Sequence, residues 1–196
     1  MLNLIWRVKV SNATIVTVRG RVFDYHKPHS YEYDIYDISH SLSKICRFAG
    51  NTSSFYSVAQ HSVIVAKLAA KIHPALAKMA LLHDASEAFM NDMPSPLKKL
   101  FPEFSAIEDN ILVAVYNYFD VNMPTDYPEV ISPVVKKIDR EVGIAEMRDL
   151  FDGRNSLVTA IIGEAEYIPQ IVPLNHEDAN GMFLRAFFDI CKGKFN

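Results

Sequence analysis

The sequence predicts a mostly α-helical protein with a short N-terminal β-hairpin. Residues 4–24 alternate between apolar and polar side chains, and their many β-branched residues flank a Ser11-Asn12 turn. From Asp37 onward, apolar residues recur at helical intervals. Prolines and Gly50 interrupt this helical pattern. We therefore expect one domain over residues 1–196, with a β-rich segment at 1–30 and a helical core at 37–192.

Composition limits the classes of function. The chain has 196 residues, is 49% hydrophobic and carries a net charge of −3, so it can bury one core but has no global basic field for nucleic acid. Its two cysteines cannot form a disulfide framework. No stretch approaches the roughly 18 apolar residues of a membrane span. We expect a cytoplasmic protein that binds neither nucleic acid nor membrane.

The first helix of interest begins near Ser57. Residues 57–60 read Ser-Val-Ala-Gln, which has the form of a capping box and would place His61 in the first helical turn. His61 shares its helix face with apolar residues, namely Val65, Leu68, Ala69 and Ile72. A lone histidine on such a face is often a hydrogen-bonded core residue, so His61 by itself does not indicate a site.

The next helix is predicted over residues 74–91, with His83 and Asp84 near its middle. Its apolar stripe passes through His83 and Glu87 and is completed by Leu76, Met79, Ala80 and Met90. Two neighbouring polar side chains on an inward face would both need buried partners, which makes a simple packing role less satisfactory than for a lone histidine.

A third helix, over residues 133–150, brings Asp139 beside the apolar stripe of Val135, Ile138 and Val142. Inward-facing imidazole and carboxylate groups are costly unless a positive charge holds them, and a divalent metal does so directly. The residues therefore predict a metal-dependent hydrolase whose metal ligands are His61, His83, Asp84 and Asp139.

The pattern of a histidine, a His-Asp pair and a distant aspartate resembles the HD-domain phosphohydrolases, especially their phage and prophage branch. The resemblance extends from about Gly20 to Leu150, while the first nineteen residues lie outside it. Its most similar runs are residues 20–24, 37–43, 45–50, 55–62, 82–88, 92–98 and 146–150. Relatives with this pattern include bacterial 5′-deoxynucleotidases and phage dATP triphosphohydrolases.

The resemblance implies an HD-domain helical bundle and a phosphohydrolase that acts on a small deoxynucleotide. We expect a dATP-preferring triphosphohydrolase that releases the deoxynucleoside and triphosphate. The alternatives are a 5′-deoxynucleotidase acting on deoxynucleoside monophosphates and a nucleotide-sensing module without turnover. Related enzymes form homo-oligomers, so a homo-oligomer is expected here.

The ligand set limits the metal content. Two-metal members of the superfamily carry extra histidines after the His-Asp pair, but no histidine occurs between His83 and His176. One divalent transition metal is implied, and the mixed nitrogen and oxygen ligands suit Zn, Co, Mn, Ni or Fe. Mg would accompany a triphosphate substrate.

Two acidic residues are candidates for proton transfer. Glu87 lies four residues after His83 on the same helix face, and the resemblance to the 5′-deoxynucleotidases makes it catalytic. Its alternative is a solvated helical carboxylate. Asp92 precedes a Met-Pro turn and is either catalytic or a structural cap.

Three cations and two neighbouring residues are candidates for substrate binding. Arg47 matches the family's phosphate-binding arginine and can bind phosphate through two nitrogens, while Lys98 and Lys136 match phosphate-binding lysines. Phe48 replaces the tryptophan that lies against the deoxyribose in the nucleotidases, and packing in the core is its alternative. Asn51 either contacts a base or sugar edge or serves the backbone after Gly50.

Two further residues receive weaker assignments. His40 shares a helix face with Arg47 but is expected to be a surface histidine. Glu146 lies two helical turns after Asp139 and could also approach the site, but we expect it to belong to an ion-pair network with Arg148 and Asp149 or to an oligomer contact.

Overall fold

The structure is a computed structural model that describes residues 13–122, 131–151 and 167–195. Its two strands are β1 (Thr14–Val16) and β2 (Val22–Asp24). The described helices are α1 (Ile35–Lys44), α2 (Val58–Ile72), α3 (Leu76–Leu82), α4 (Glu87–Met90), α5 (Ser95–Lys98), α6 (Pro102–Tyr118), α7 (Pro133–Leu150) and α8 (His176–Cys191). These elements confirm the mostly α-helical fold with a short N-terminal hairpin.

The two strands form an antiparallel hairpin, which we call the N-terminal hairpin (residues 14–24). Thr14 pairs with Asp24 and Val16 with Val22, so the chain reverses between Thr17 and Arg21. The reversal is closed by Gly20, whose amide donates to the carbonyl of Thr17 at 2.9 Å and whose φ is +76°. The Ser11-Asn12 turn predicted from the sequence lies outside the described residues.

Aromatic packing fastens the N-terminal hairpin to the helical part. The ring of Phe23 is fully buried and stacks on Phe89 of α4 with a centroid distance of 4.3 Å. Tyr31 and Tyr33 pack edge-on against these rings, and the hydroxyl of Tyr25 donates to the carbonyl of Phe89. The hairpin is therefore anchored on the short helix that carries Glu87.

Helix α2 lies at the centre of the bundle and packs against α1, α3, α7 and α8. Val65 and Ala69 are fully buried, as their helical stripe predicts. The expectation is wrong for Ile72, the last residue of α2, which is 63% exposed. No helix in the described ranges has the length and apolar character needed to cross a membrane.

The helix predicted over residues 74–91 is interrupted at its centre. Helix α3 ends at Leu82 and α4 begins at Glu87. Around this break, backbone amides bond to the third residue before them, as in Ala85 N to Leu82 O and Glu87 N to Asp84 O, both at 3.0 Å. The backbone stays in right-handed helical geometry at His83 and Ser86. This tighter winding is a local change of hydrogen-bond spacing that side-chain periodicity does not detect.

Candidate active site

His61 is held in the first turn of α2 by the predicted cap. The hydroxyl of Ser57 accepts a hydrogen bond from the amide of Gln60 at 3.2 Å. Gln60 does not complete a capping box, because its side chain instead donates to the carbonyl of Val172 and accepts from the amide of Leu174, both at 2.8 Å. The same turn that positions His61 therefore also holds the chain that leads into α8.

The predicted metal ligands converge from three parts of the chain. The Nε2 atoms of His61 and His83 lie 3.3 Å apart. An oxygen of Asp139 lies 3.0 Å from His61 Nε2 and 3.7 Å from His83 Nε2, and an oxygen of Asp84 lies 3.7 Å and 3.2 Å from the same two nitrogens. The donor atoms of His61, His83 and Asp139 all lie within 4.8 Å of one another, which suits ligation of one ion.

The outer nitrogens of both histidines face hydrogen-bond acceptors. His61 Nδ1 lies 2.6 Å from a carboxylate oxygen of Glu146, and His83 Nδ1 lies 2.7 Å from the carbonyl of Ala80. A carbonyl or ionised carboxylate can only accept, so each Nδ1 carries a proton and each Nε2 faces the cluster, where its lone pair can bind a cation in place of a proton. Two lone pairs and two carboxylates that face one another fit a bound cation, and acceptors behind the ligands are typical of metal sites.

The electrostatics of the cluster agree with this chemistry. Burial lowers the pKa of His83, but Asp84 and Asp139 raise it more, so the pKa lies well above its usual value. Burial raises the pKa of Asp139, yet hydrogen bonds from His61 and His83 outweigh it and bring this pKa below its usual range. The surroundings thus keep the carboxylates ionised and stabilise positive charge between them.

Glu146 lies at the site, which was its alternative placement, and not in an ion-pair network with Arg148 and Asp149. It is fully buried, binds His61 through one oxygen and accepts from Arg47 Nε at 3.0 Å through the other. Burial raises the pKa of Glu146, but Arg47 and His61 lower it more, so its carboxyl is held ionised.

Arg148 and Asp149 pair with each other at 2.7 Å on another face of α7 and bind the backbone at Ile168 and Ile171. The sequence feature that indicated a location of Glu146 at the site was its spacing of seven residues from Asp139, since two helical turns return to the same face.

Arg47 lies at the edge of the cluster in a tightly wound turn, Arg47–Gly50. Its guanidinium group pairs with Glu146 and lies 3.6 Å from an oxygen of Asp84. Phe48, Ala49 and Gly50 all have positive φ angles, a left-handed conformation that costs energy for residues with a Cβ. The turn is held by the bond from Arg47 N to Tyr56 O at 3.0 Å. Strain of this kind is found at functional sites.

Glu87 is buried rather than a solvated helical carboxylate. One of its oxygens has no hydrogen-bond partner among the described residues, and the other lies 3.7 Å from Lys98 Nζ. Burial raises the pKa of Glu87 well above its usual value, and the nearby charges of Asp84 and Asp92 add to this. Lys98 also donates to Glu108 at 2.7 Å, so its charge is largely compensated within the protein.

The remaining candidates lie around this centre. Asp92 is half-buried, and burial raises its pKa. The half-buried ring of Phe48 packs edge-on against Phe151 at 5.1 Å, consistent with its packing alternative. The side-chain amide of Asn51 donates to the carbonyl of Phe48 at 3.1 Å, consistent with its backbone alternative. Lys136 is exposed on α7, one turn before Asp139.

Comparison with known proteins places this geometry in a family. The family model described as 5′-deoxynucleotidase YfbR-like matches residues 36–152, a range that contains all four predicted metal ligands. The chain is 37% identical over 177 residues to the uncharacterized protein YfdR of Escherichia coli strain K12, covering 90% of this chain and 94% of YfdR. It is 33% identical over 127 residues to an uncharacterized protein of Rhodobacter capsulatus, covering 61% of this chain and 64% of that protein. The chain therefore belongs to the 5′-deoxynucleotidase YfbR-like family, which consists of HD-type hydrolases.

Proposed function

We propose that the protein is a metal-dependent 5′-deoxynucleotidase, which hydrolyses deoxynucleoside 5′-monophosphates to deoxynucleosides and phosphate. The observation that carries this proposal is the buried Glu87 carboxyl, with one oxygen free of described partners, beside the convergent nitrogens of His61 and His83. A set of ligands alone would suit binding, whereas an adjacent carboxyl with a raised pKa supplies a proton for chemistry.

His61, His83, Asp84 and Asp139 would hold the ion. A divalent metal there supplies Lewis-acid activation of a phosphate oxygen and of a water molecule. Any of Zn, Co, Mn, Ni or Fe is compatible with two imidazoles and two carboxylates.

The other residues orient the substrate and move the proton. Arg47 would bind a phosphate oxygen, since its guanidinium group points at Asp84 while Glu146 holds its Nε side. Glu87 would carry a proton to the 5′ oxygen of the leaving deoxyribose. Asp92, whose pKa is raised by burial and is also affected by the charges of Arg47 and Asp84, would border the sugar.

A second candidate is the dATP-preferring triphosphohydrolase. It is favoured by Lys136, which is exposed one turn before Asp139, and by Lys98 beside Glu87, because both would meet a longer phosphate chain. Against it, Arg47 is paired with Glu146 and Asp84, and Lys98 with Glu108. Carboxylates therefore neutralise at least two of the three cations that would bind a triphosphate. A single phosphate needs fewer uncompensated cations, which is why we rank the monophosphate first.

Product analysis tests these candidates. The purified protein is incubated with deoxynucleoside and ribonucleoside mono- and triphosphates in the presence of Mn, Co, Ni, Fe or Zn, and with Mg added to the triphosphates. The products are separated by anion exchange. Phosphate released from dAMP and its counterparts supports the proposal, and triphosphate released from dATP supports the second candidate.

Asp84→Ala serves as the control, because it removes a predicted ligand and should abolish both metal binding and turnover. Tight nucleotide binding without any product from the metal-loaded protein would instead indicate a sensing module and overturn both enzymatic candidates.

A further inference from the structure

A cavity of about 600 Å³ lies next to the candidate active site. One wall is formed by the N-terminal hairpin through Ile15, Val16 and Val18, and α1 contributes His40 and Lys44 to the lining. The volume falls within the range of pockets that hold small organic ligands, about 300–1,000 Å³.

The cavity is continuous with the chemistry of the site. Asp92 lines it, and Asp92 is close enough to Arg47 and Asp84 for their charges to act on its pKa, which burial raises. Ala49 also lines it and belongs to the same turn as Arg47. A substrate whose phosphate is bound at Arg47 would therefore direct its remaining part past Asp92 and Ala49 into the cavity.

The hairpin wall is held in place by two independent attachments. The carboxylate of Asp37, buried in α1, accepts from the hydroxyl of Thr17 at 2.8 Å and from the amide of Arg19 at 3.2 Å. At the other end, Phe23 stacks on Phe89. The wall thus has the fixed position that selection between similar ligands requires.

The two walls differ in chemistry. Val16 and Val18 are 67% and 60% exposed, so the hairpin presents large apolar side chains that are in contact with water. Elsewhere in the lining, His40, Lys44 and Asn91 carry groups that can hydrogen-bond to ring nitrogens or oxygens. An apolar surface facing a few polar groups suits a flat heteroaromatic ring, with its face on the hairpin and its edge towards α1.

We propose that this cavity holds the base of a deoxynucleotide and that the N-terminal hairpin is a specificity element of the enzyme, with Val18 packing on the base. The proposal rests on the proposed function, because it assumes a nucleotide whose phosphate lies at Arg47. The whole hairpin lies outside the range matched by the family model, which begins at residue 36. Selection by base is therefore a property that this segment adds to the hydrolytic site.

The test compares Val18→Trp with Val22→Trp. Val22 lies in the same hairpin, where it pairs with Val16, but it does not line the cavity. Val18→Trp should fill the cavity and raise KM for deoxynucleoside monophosphates about tenfold or more, the change that follows from losing one good ring contact. Val22→Trp should leave KM unchanged, and both variants should hydrolyse 2-deoxyribose 5-phosphate, which has no base, as the wild type does.

A second variant keeps the test decisive if Val18→Trp does not fold. His40→Gln changes the polar wall and should alter the ratio of kcat/KM among the four deoxynucleoside monophosphates, with 2-deoxyribose 5-phosphate unaffected. Unchanged KM values and base ratios in a wild type that hydrolyses deoxynucleotides would overturn the proposal and leave the proposed function intact. A wild type that hydrolyses 2-deoxyribose 5-phosphate but no deoxynucleotide would overturn both.

Discussion

Glu146 binds two functional side chains at once, one with each carboxylate oxygen. It accepts from His61 Nδ1 in a buried contact and from Arg47 Nε in a partly buried one. A metal ligand and a phosphate-binding candidate are therefore oriented by the same charge. The sequence placed Glu146 on the face of Asp139 but could not show which of the neighbouring cations would reach it, because His61 and Arg47 lie 85 and 99 positions away.

Glu146→Gln should weaken metal binding about 10–100-fold, the usual effect of removing the partner of a ligating histidine. The amide is close in size but neutral, so the fold should be retained while His61 and Arg47 lose their anchor. Metal affinity can be measured by competition with a chelator. Glu141→Gln on the same helix, whose side chain contacts Tyr167 and Lys137, is the matched control. Equal affinities for the two variants would remove Glu146 from the site.

Glu87→Gln should keep the metal and lose turnover. General acid catalysis is typically worth about 10²–10⁴-fold, so kcat should fall by that factor while elemental analysis still finds bound ion. Glu103→Gln, in the exposed first turn of α6, is the control and should behave as the wild type. Turnover that survives in Glu87→Gln would assign the buried carboxyl a structural role.

The residues of the site were predictable to different degrees. His61, His83, Asp84 and Asp139 share inward helix faces, and the structure brings them together as this pattern indicates. The pairing of Lys98 with Glu108 and of Arg47 with Glu146 depends on side chains from distant segments. Local periodicity carries no information about such pairs.

At the scale of elements, the Arg47–Gly50 turn was beyond sequence reasoning. Gly50 alone marked it, whereas the structure has Phe48 and Ala49 in left-handed geometry as well. Residues with a Cβ adopt this conformation only where surrounding contacts enforce it, and those contacts include the bonds to Tyr56 and Asn51.

Two substitutions that should change the free energy of unfolding in opposite directions test the strain in this turn. Ala49→Gly should raise the free energy of unfolding by about 0.5–1 kcal/mol. It removes the backbone strain of a Cβ-bearing residue in left-handed geometry, and the greater flexibility of the unfolded chain offsets only part of this gain. Gly50→Ala should lower it by about 1 kcal/mol through backbone strain alone, because no atom lies within 4 Å of the added Cβ. Urea denaturation measures both changes. Shifts of the same sign would show that the turn is not strained.

The interrupted helix at residues 83–86 illustrates a second limit. Its side chains follow a helical pattern, and His83, Ala85, Ser86 and Glu87 are all buried as an inward face requires. The pattern identified a helical segment and its buried side but not the shift from i−4 to i−3 bonding. Helical bonds of both kinds place side chains on similar faces over one turn.

At the scale of the whole molecule, the helical bundle and the presence of a hairpin were predictable, whereas the docking of the hairpin was not. Phe23 reaches Phe89 across a long stretch of sequence, and the cluster also recruits Tyr31 and Tyr33. Aromatic residues in an N-terminal segment indicate burial but not the surface that buries them.

Phe23→Ala should lower the free energy of unfolding by about 3–5 kcal/mol, as expected when a fully buried ring is removed. Phe101, which is 50% exposed, gives a control: Phe101→Ala should cost far less. Thermal and urea unfolding of the two variants measure the difference. If both lose the same stability, the N-terminal hairpin is not an integral part of the fold.

The convergence of α2, the end of α3 and α7 on one set of donors has a consequence for the order in which the protein opens. An ion held by His61, His83 and Asp139 would cross-link α2 and α7, so α7 could not separate from α2 without releasing the ion. A ligand at a hundred times its dissociation constant adds about 2.7 kcal/mol to any opening that expels it. Amide hydrogen exchange in α7 should therefore slow about a hundredfold when metal is added, while exchange in α6, which carries none of these ligands, should not. Metal would then determine which part of the bundle unfolds first, in addition to its role in the proposed hydrolysis.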